Sequence, residues 1–190
     1  MNDDVTLLHQ IAEGDAHALE TLYARFGPGL LSYLVAWFGD HAPAEEVLQD
    51  VMLAVWDHAA QFRGESSVYT WLLTIARNRA MNAQRRHQPE SVTLDDELAM
   101  PSPDTGPQEA AEKKAAASNV REAISQLPEH QREVLVLTFY HQLSGQEISE
   151  MLGVSIGTVK SRLSRAKDAL RDLLQSYNAG VPSGLRQGAG

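Results

Sequence analysis

Apolar positions recur at helical spacing through most of the chain. Leu7, Leu8 and Ile11, then Leu19, Leu22 and Tyr23, read as the core faces of two opening helices. Val47, Leu48, Val51 and Val55 share one face of a later helix. Tyr69, Leu72, Leu73, Ala76, Ala80 and Ala83 do the same further on. Near the end, Val159, Leu163, Ala166, Leu170 and Leu173 recur at steps of 4, 3, 4 and 3, a stripe that packs inward. No alternating run is bounded by turns, so strands are not expected. The pattern predicts an all-α fold, with interruptions at Phe26–Gly29 and Gly39–Pro43 and a turn at Arg63–Ser67.

Breakers divide the chain in two. Residues 88–112 hold four prolines and seven acids without a sustained apolar period, the composition of a flexible linker. The expected organisation is an N-terminal helical bundle over 1–88, an acidic linker over 89–115, a second helical domain over 116–177 and a disordered tail over 178–190.

With 25 acids against 16 Lys and Arg in 190 residues, the net charge of −9 excludes a uniformly basic coat for nucleic acid. The cations are concentrated instead. Arg77, Arg79, Arg85 and Arg86 fall in one window and Lys160, Arg162, Arg165, Lys167 and Arg171 in another, together nine of the 16. Two positive patches on an acidic background fit contact with a polyanion at two places, or two solvated helix faces. The absence of cysteine removes disulfides, thiol catalysis and Cys-ligated metals, and it fits a reducing compartment. The opening MNDDVTLLHQ carries acids where a signal peptide needs cations, and no apolar run approaches 18 residues. A soluble cytoplasmic protein without membrane insertion is expected.

Residues 144–170 have the order of a helix-turn-helix. Ser144 can cap a short helix carrying Ile148, Met151 and Leu152, Gly153 can end it in the left-handed conformation, and Ser155 can cap the next. On that second helix Gly157, Thr158, Ser161, Ser164, Arg165 and Asp168 lie opposite the apolar stripe. Lys160, Lys167 and Arg171 line one flank, and Arg162 lies towards the other. Small polar residues at the centre allow close approach to a major groove, while the cations reach phosphates or guanine edges.

Two further faces carry candidate chemistry. On residues 44–58, Glu46, Asp50, Leu53 and Asp57 fall within a narrow arc opposite the apolar face, which leaves a leucine ringed by carboxylates. That is the composition of a dock for a basic helical partner, and equally of a solvated acidic face. On residues 68–86, Trp71, Thr74, Asn78, Asn82 and Arg85 share the outer face, with Arg79 and Arg86 beside them. Aromatic, amide and guanidinium groups can stack a base, read its edge and hold phosphate. Trp71 can alternatively belong to the core.

These segments resemble bacterial sigma factors of the sigma-70 family, in particular the extracytoplasmic-function group. The stretch LPEHQREVLVLTFYHQLSGQEISEMLGVSIGTVKSRLSRAKDALRDLL is similar to the promoter-reading C-terminal domain, and FRGESSVYTWLLTIARNRAMNAQRR to the segment that opens the promoter. The stretch PAEEVLQDVMLAVW resembles the helix that docks on the clamp coiled coil of RNA polymerase. Ser149 and Ser164 depart from or vary within the family pattern.

The resemblance implies a promoter-specificity subunit of RNA polymerase. Glu45, Glu46, Gln49, Asp50, Leu53 and Asp57 would bind the polymerase. Arg63, Trp71, Asn78, Arg79, Asn82, Arg85 and Arg86 would bind the minus-ten element as single strand, with Asn78 reading a flipped base. Thr158, Lys160, Ser161, Arg162, Ser164, Arg165 and Lys167 would read the minus-thirty-five element as duplex. Implied partners are the polymerase core, through the beta-prime clamp and the beta flap, promoter DNA and an anti-sigma factor.

No active site is legible. The seven histidines are dispersed without ligand spacing, Gly27-Pro28-Gly29 lacks the Lys and Ser/Thr of a phosphate loop, and Glu45-Glu46 and Asp95-Asp96 are adjacent pairs that diverge on a helix. No enzyme, cofactor or metal is expected. Two other readings stand beside the sigma factor: a helix-turn-helix regulator acting without polymerase, and an interaction module that titrates anti-sigma factors.

Overall fold

The computed structural model describes residues 3–86 and 118–179, and every regular element among them is helical. Four helices form the N-terminal part: α1 (Asp3–Ala12), α2 (Ala16–Phe38), α3 (His41–His58) and α4 (Val68–Arg86), with a short 3₁₀ turn at Ala59–Gln61 after α3. The C-terminal part holds α5 (described over 118–125), α6 (Glu129–Phe139), α7 (Gly145–Leu152) and α8 (Ile156–Ala179). Contacts divide the chain into two compact units. Among the described residues, one holds 3–86 with 146–153, and the other 118–145 with 154–179. Residues 146–153, which fall in the C-terminal block by sequence, thus group with the first unit. The expected linker at 89–115 lies outside the described residues. So does the tail beyond 179, α8 continuing to Ala179.

The first unit is built on α2, which packs against α1, α3 and α4, while α3 and α4 pack on each other. Asp15 caps α2 by accepting from the His17 and Ala18 N–H groups at 2.9 and 3.3 Å. Gly39, at φ 74°, ends the helix with its N–H on the Val35 carbonyl, a left-handed cap that a residue with a side chain adopts at a cost. Asp40 at once caps α3 by accepting from Ala42 N–H at 3.1 Å. The interruption expected over Gly39–Pro43 therefore shrinks to Gly39 and Asp40. Pro43 lies inside the first turn of α3, where its missing N–H would have had no partner within the helix.

The other expected interruption is absent. α2 runs without a break through Phe26–Gly29, with Pro28 inside it. Proline costs a helix interior about 3 kcal/mol. Leu22, Leu30 and Leu34, on both sides of it, are fully buried, and each such side chain contributes about 1.5–3 kcal/mol. Tertiary burial outweighs the local penalty. Tyr23, expected in the core, is instead 49% exposed, because the inward face of α2 at this level is taken by Leu22 and Phe26 is half-buried beside it. Leu8, Ile11 and Leu22 are buried as expected, and Leu7 and Leu19 half-buried. An ion pair from Arg25 to Asp4, with Asp3 at 3.7 Å, ties α1 to α2 at the surface.

In the second unit α6 packs on α8. Leu127, Leu135 and Ala166 form the buried centre, with Ile124, Leu163, Ala169, Leu170 and Leu173 against it. The apolar stripe read from the sequence of α8 is the stripe that packs. At its far end Gln126 Nε2 donates to Tyr177 Oη at 2.8 Å.

Candidate nucleic-acid and partner interfaces

α3 separates its two faces sharply. Val47, Leu48, Val51 and Val55 are buried, whereas Glu45, Glu46, Gln49, Asp50, Leu53 and Asp57 are all exposed. Leu53 is 64% exposed, among carboxylates and without an apolar cover. Trp56, three residues on and 38% exposed, extends the apolar surface at the edge of this face. The sequence reading missed Trp56 because it falls just outside the acidic arc, although its i+3 spacing from Leu53 marks it. An exposed leucine and tryptophan within an acidic surround can bury apolar area against a partner while the rim attracts its cations.

α4 is aimed by its start. After the loop 63–67, in which Gly64 takes φ 73°, Ser67 Oγ accepts from Thr70 N–H at 3.0 Å and caps the helix. Leu72, Leu73, Ala76 and Ala80 are buried against the bundle. That orientation leaves Asn78, Asn82, Arg85 and Arg86 exposed on the outer side, Arg63 exposed in the loop, and Arg79 half-buried. Trp71 is half-buried, its ring meeting Phe62 edge to face at 5.5 Å. It lies at the edge of the core, part buried and part open to solvent. Near the end of α4, Gln84 accepts from Trp37 Nε1 at 3.1 Å and ties that end to α2.

α8 begins at a built cap. Gly153 takes φ 65°, and Ser155 Oγ accepts from Thr158 N–H at 3.1 Å. Lys160, Ser161, Ser164, Arg165 and Lys167 are exposed, and Thr158 and Arg162 half-exposed. Among the described residues no carboxylate pairs with Lys160, Arg162 or Arg165, whereas Arg171 is paired to Asp168 at 2.9 Å. Lys167 places its ammonium 5.1 Å from the centre of the Phe139 ring, which is itself 53% exposed, so α6 holds this cation on one flank of the face. On the opposite flank His130, Ser155, Gly157, Thr158, Ser161, Arg162 and Arg165 line an open concavity. His130 was not among the residues singled out by sequence, because it comes from α6 and nothing in the periodicity of α8 points to it.

Each set of residues expected to work together thus shares a surface: the acidic set on α3, the amide and arginine set on α4 with its preceding loop, and the hydroxyl and cation set on α8. Among the described residues there is no cluster of three or more metal-ligating side chains, and no helix long and apolar enough to cross a membrane.

Comparison with known proteins accounts for most of the chain. The family model for Sigma-70 region 2 matches residues 22–90, and that for Sigma-70, region 4 matches residues 117–170. The ECF RNA polymerase sigma factor RpoE of Cereibacter sphaeroides is 36% identical over 174 residues, which span 89% of this chain and 93% of that protein. Among solved structures, CnrH in complex with the cytosolic domain of CnrY aligns with a TM-score of 0.66 at 25% identity, covering 91% of this chain and 97% of that one. The sigma factor RpoE of Bartonella quintana, solved with the anti-sigma factor NepR, shares the fold with a TM-score of 0.63 at 23% identity, covering 82% and 96%.

Proposed function

The chain belongs to the extracytoplasmic-function sigma factors of the sigma-70 family, which direct RNA polymerase in transcription initiation, and on that premise we propose how its three faces divide the work. The α3 face, with Leu53 at its centre and Glu45, Glu46, Gln49, Asp50 and Asp57 around it, docks on the clamp of the polymerase. The outer face of α4 with Arg63 engages the minus-ten element: arginines hold the displaced strand and Asn78 reads an extruded base. The face of α8 from Thr158 to Lys167 enters the major groove of the minus-thirty-five element. The protein contributes no catalytic group and acts in the cytoplasm beside the polymerase. An anti-sigma factor, the partner class seen with the Bartonella quintana neighbour, would hold it inactive by covering one or more of these faces.

The observation that carries this division is the exposure of Leu53. A helix that buries Val47, Leu48, Val51 and Val55 leaves Leu53, with Trp56 beside it, bare among acids, which suits an interface and gives no benefit in water. Leu53→Asp replaces that anchor with a charge and leaves the buried stripe of α3 intact. Losing a desolvated anchor typically costs on the order of 2 kcal/mol or more in binding, so affinity for core polymerase should fall at least roughly tenfold. Fluorescence anisotropy with labelled protein measures it, and circular dichroism checks that helicity is unchanged. Undiminished affinity would remove α3 as the docking helix.

A further inference from the structure

We propose that His130 is a DNA-backbone contact, donated by α6 to the face that α8 presents; this rests on the reading of α8 as the duplex-binding helix. The position carries the argument. His130 is exposed in the first turn of α6 and lines the same concavity as Thr158, Ser161, Arg162 and Arg165. It enters that surface from the Arg162 side. A helix seated in a groove has base edges before its centre and a sugar-phosphate strand along each flank, so a group from the neighbouring helix meets phosphate.

The chemistry of the concavity agrees. Its lining offers two guanidiniums, three hydroxyls and an imidazole, and no carboxylate. Ser155 is engaged in the cap of α8 and its Oγ lies 2.9 Å from Thr158 Oγ1, which leaves Ser161, the guanidiniums and the imidazole as the groups free to turn outward. An imidazole always carries at least one ring N–H, and a phosphate oxygen is an acceptor. The charged groups nearest along its own helix are Glu129, Arg132 and Glu133; Glu133 is buried and Arg132 Nη1 donates to the Ser125 carbonyl at 3.1 Å. Arg132 is thus turned towards the end of α5, and His130 is the residue of this turn that lines the concavity. On the other flank the same architecture recurs in a different form, with Phe139 of α6 holding Lys167. The first and last turns of α6 therefore serve opposite flanks of one recognition surface.

A charge series at position 130 tests this with the full-length chain and a duplex selected by that chain from a randomised pool. Because one hydrogen bond to a charged phosphate is worth about 1.5–3 kcal/mol, His130→Ala should weaken binding roughly tenfold or more, by the same factor on duplexes carrying single base changes. His130→Glu should weaken it further. His130→Lys should tighten it and steepen the dependence of log affinity on log salt by about 0.9, one more neutralised phosphate. A merely structural role would not follow the order Lys, His, Ala, Glu. Equal affinities across the series overturn the proposal if Arg165→Ala weakens binding in the same assay. If Arg165→Ala also leaves binding unchanged, the reading of α8 is wrong and His130 falls with it.

Discussion

A Cβ placed on Gly29 would lie 2.5 Å from Oη of Tyr69. The glycine lets α4 bring a tyrosine against the backbone of α2, where Tyr69 also stacks on Phe26 with ring centres 5.5 Å apart. In an open helix Gly→Ala gains about 1 kcal/mol, but overpacking a contact this close costs about 1–3 kcal/mol. Gly29→Ala should therefore lower the melting temperature of the N-terminal unit. Combined with Tyr69→Phe, which removes the clashing oxygen, the same alanine should become neutral or stabilising. Thermal denaturation of the four proteins gives the sign directly. A stabilising single Gly29→Ala would show that the close approach does not exist.

The same pair shows where sequence reasoning stopped. Gly27, Pro28 and Gly29 read as a break because local propensity is all that a short segment displays, whereas the helix is held by leucines on either side and by a tyrosine 40 residues away. Tyr23 failed for a related reason: periodicity marks a face and not how far the neighbouring helix covers it. Caps fared better. Ser155 was legible because a cap is a local event, one side-chain oxygen accepting from an N–H three residues on. The acidic face of α3 was legible from spacing alone, since its apolar and charged sides are a simple rotation apart. Trp56 and His130 were not, the first lying at the margin of the arc and the second on another helix.

Ser155 links stability to recognition. Ser155→Ala removes the cap and should cost about 1 kcal/mol. Ser155→Asp keeps an acceptor for Thr158 N–H and should preserve stability, yet it puts a negative charge where phosphate would approach in the proposed docking of α8. Duplex affinity should fall more for Asp than for Ala, while the melting temperature should fall more for Ala. Loss of both properties in parallel would mean that the start of α8 matters only for folding.

Asn78 is exposed midway along α4, and its amide can both donate and accept. Asn78→Ala should leave polymerase binding intact, impair promoter opening and relax preference at one base of the minus-ten element. Permanganate footprinting of holoenzyme on matched promoters reports the opening. Equal reactivity for wild type and variant would take Asn78 out of the site.

His141 sits in the corner after α6, and burial pushes its pKa down from 6.5 to about 4. The unfolded chain therefore takes up this proton first as pH falls. Stability from neutral His141 is fully present above about pH 6.5 and is lost as pH drops through 4, up to about 3 kcal/mol over the window. Carboxylates titrate in part of the same range, so the comparison is with His141→Leu, whose stability should fall less steeply between pH 6.5 and 4. Parallel curves from urea denaturation would show that His141 contributes nothing to the acid sensitivity.

On the proposed division of work, three faces of one chain convert core polymerase into a promoter-specific enzyme. Run-off transcription tests it: purified chain, core polymerase and DNA fragments selected by the pair from a genomic pool. The expected result is discrete transcripts that core polymerase alone does not make, that are lost with Leu53→Asp, and that are reduced with Asn78→Ala. Tight duplex binding by the chain with no polymerase-dependent transcript from any selected fragment would contradict it.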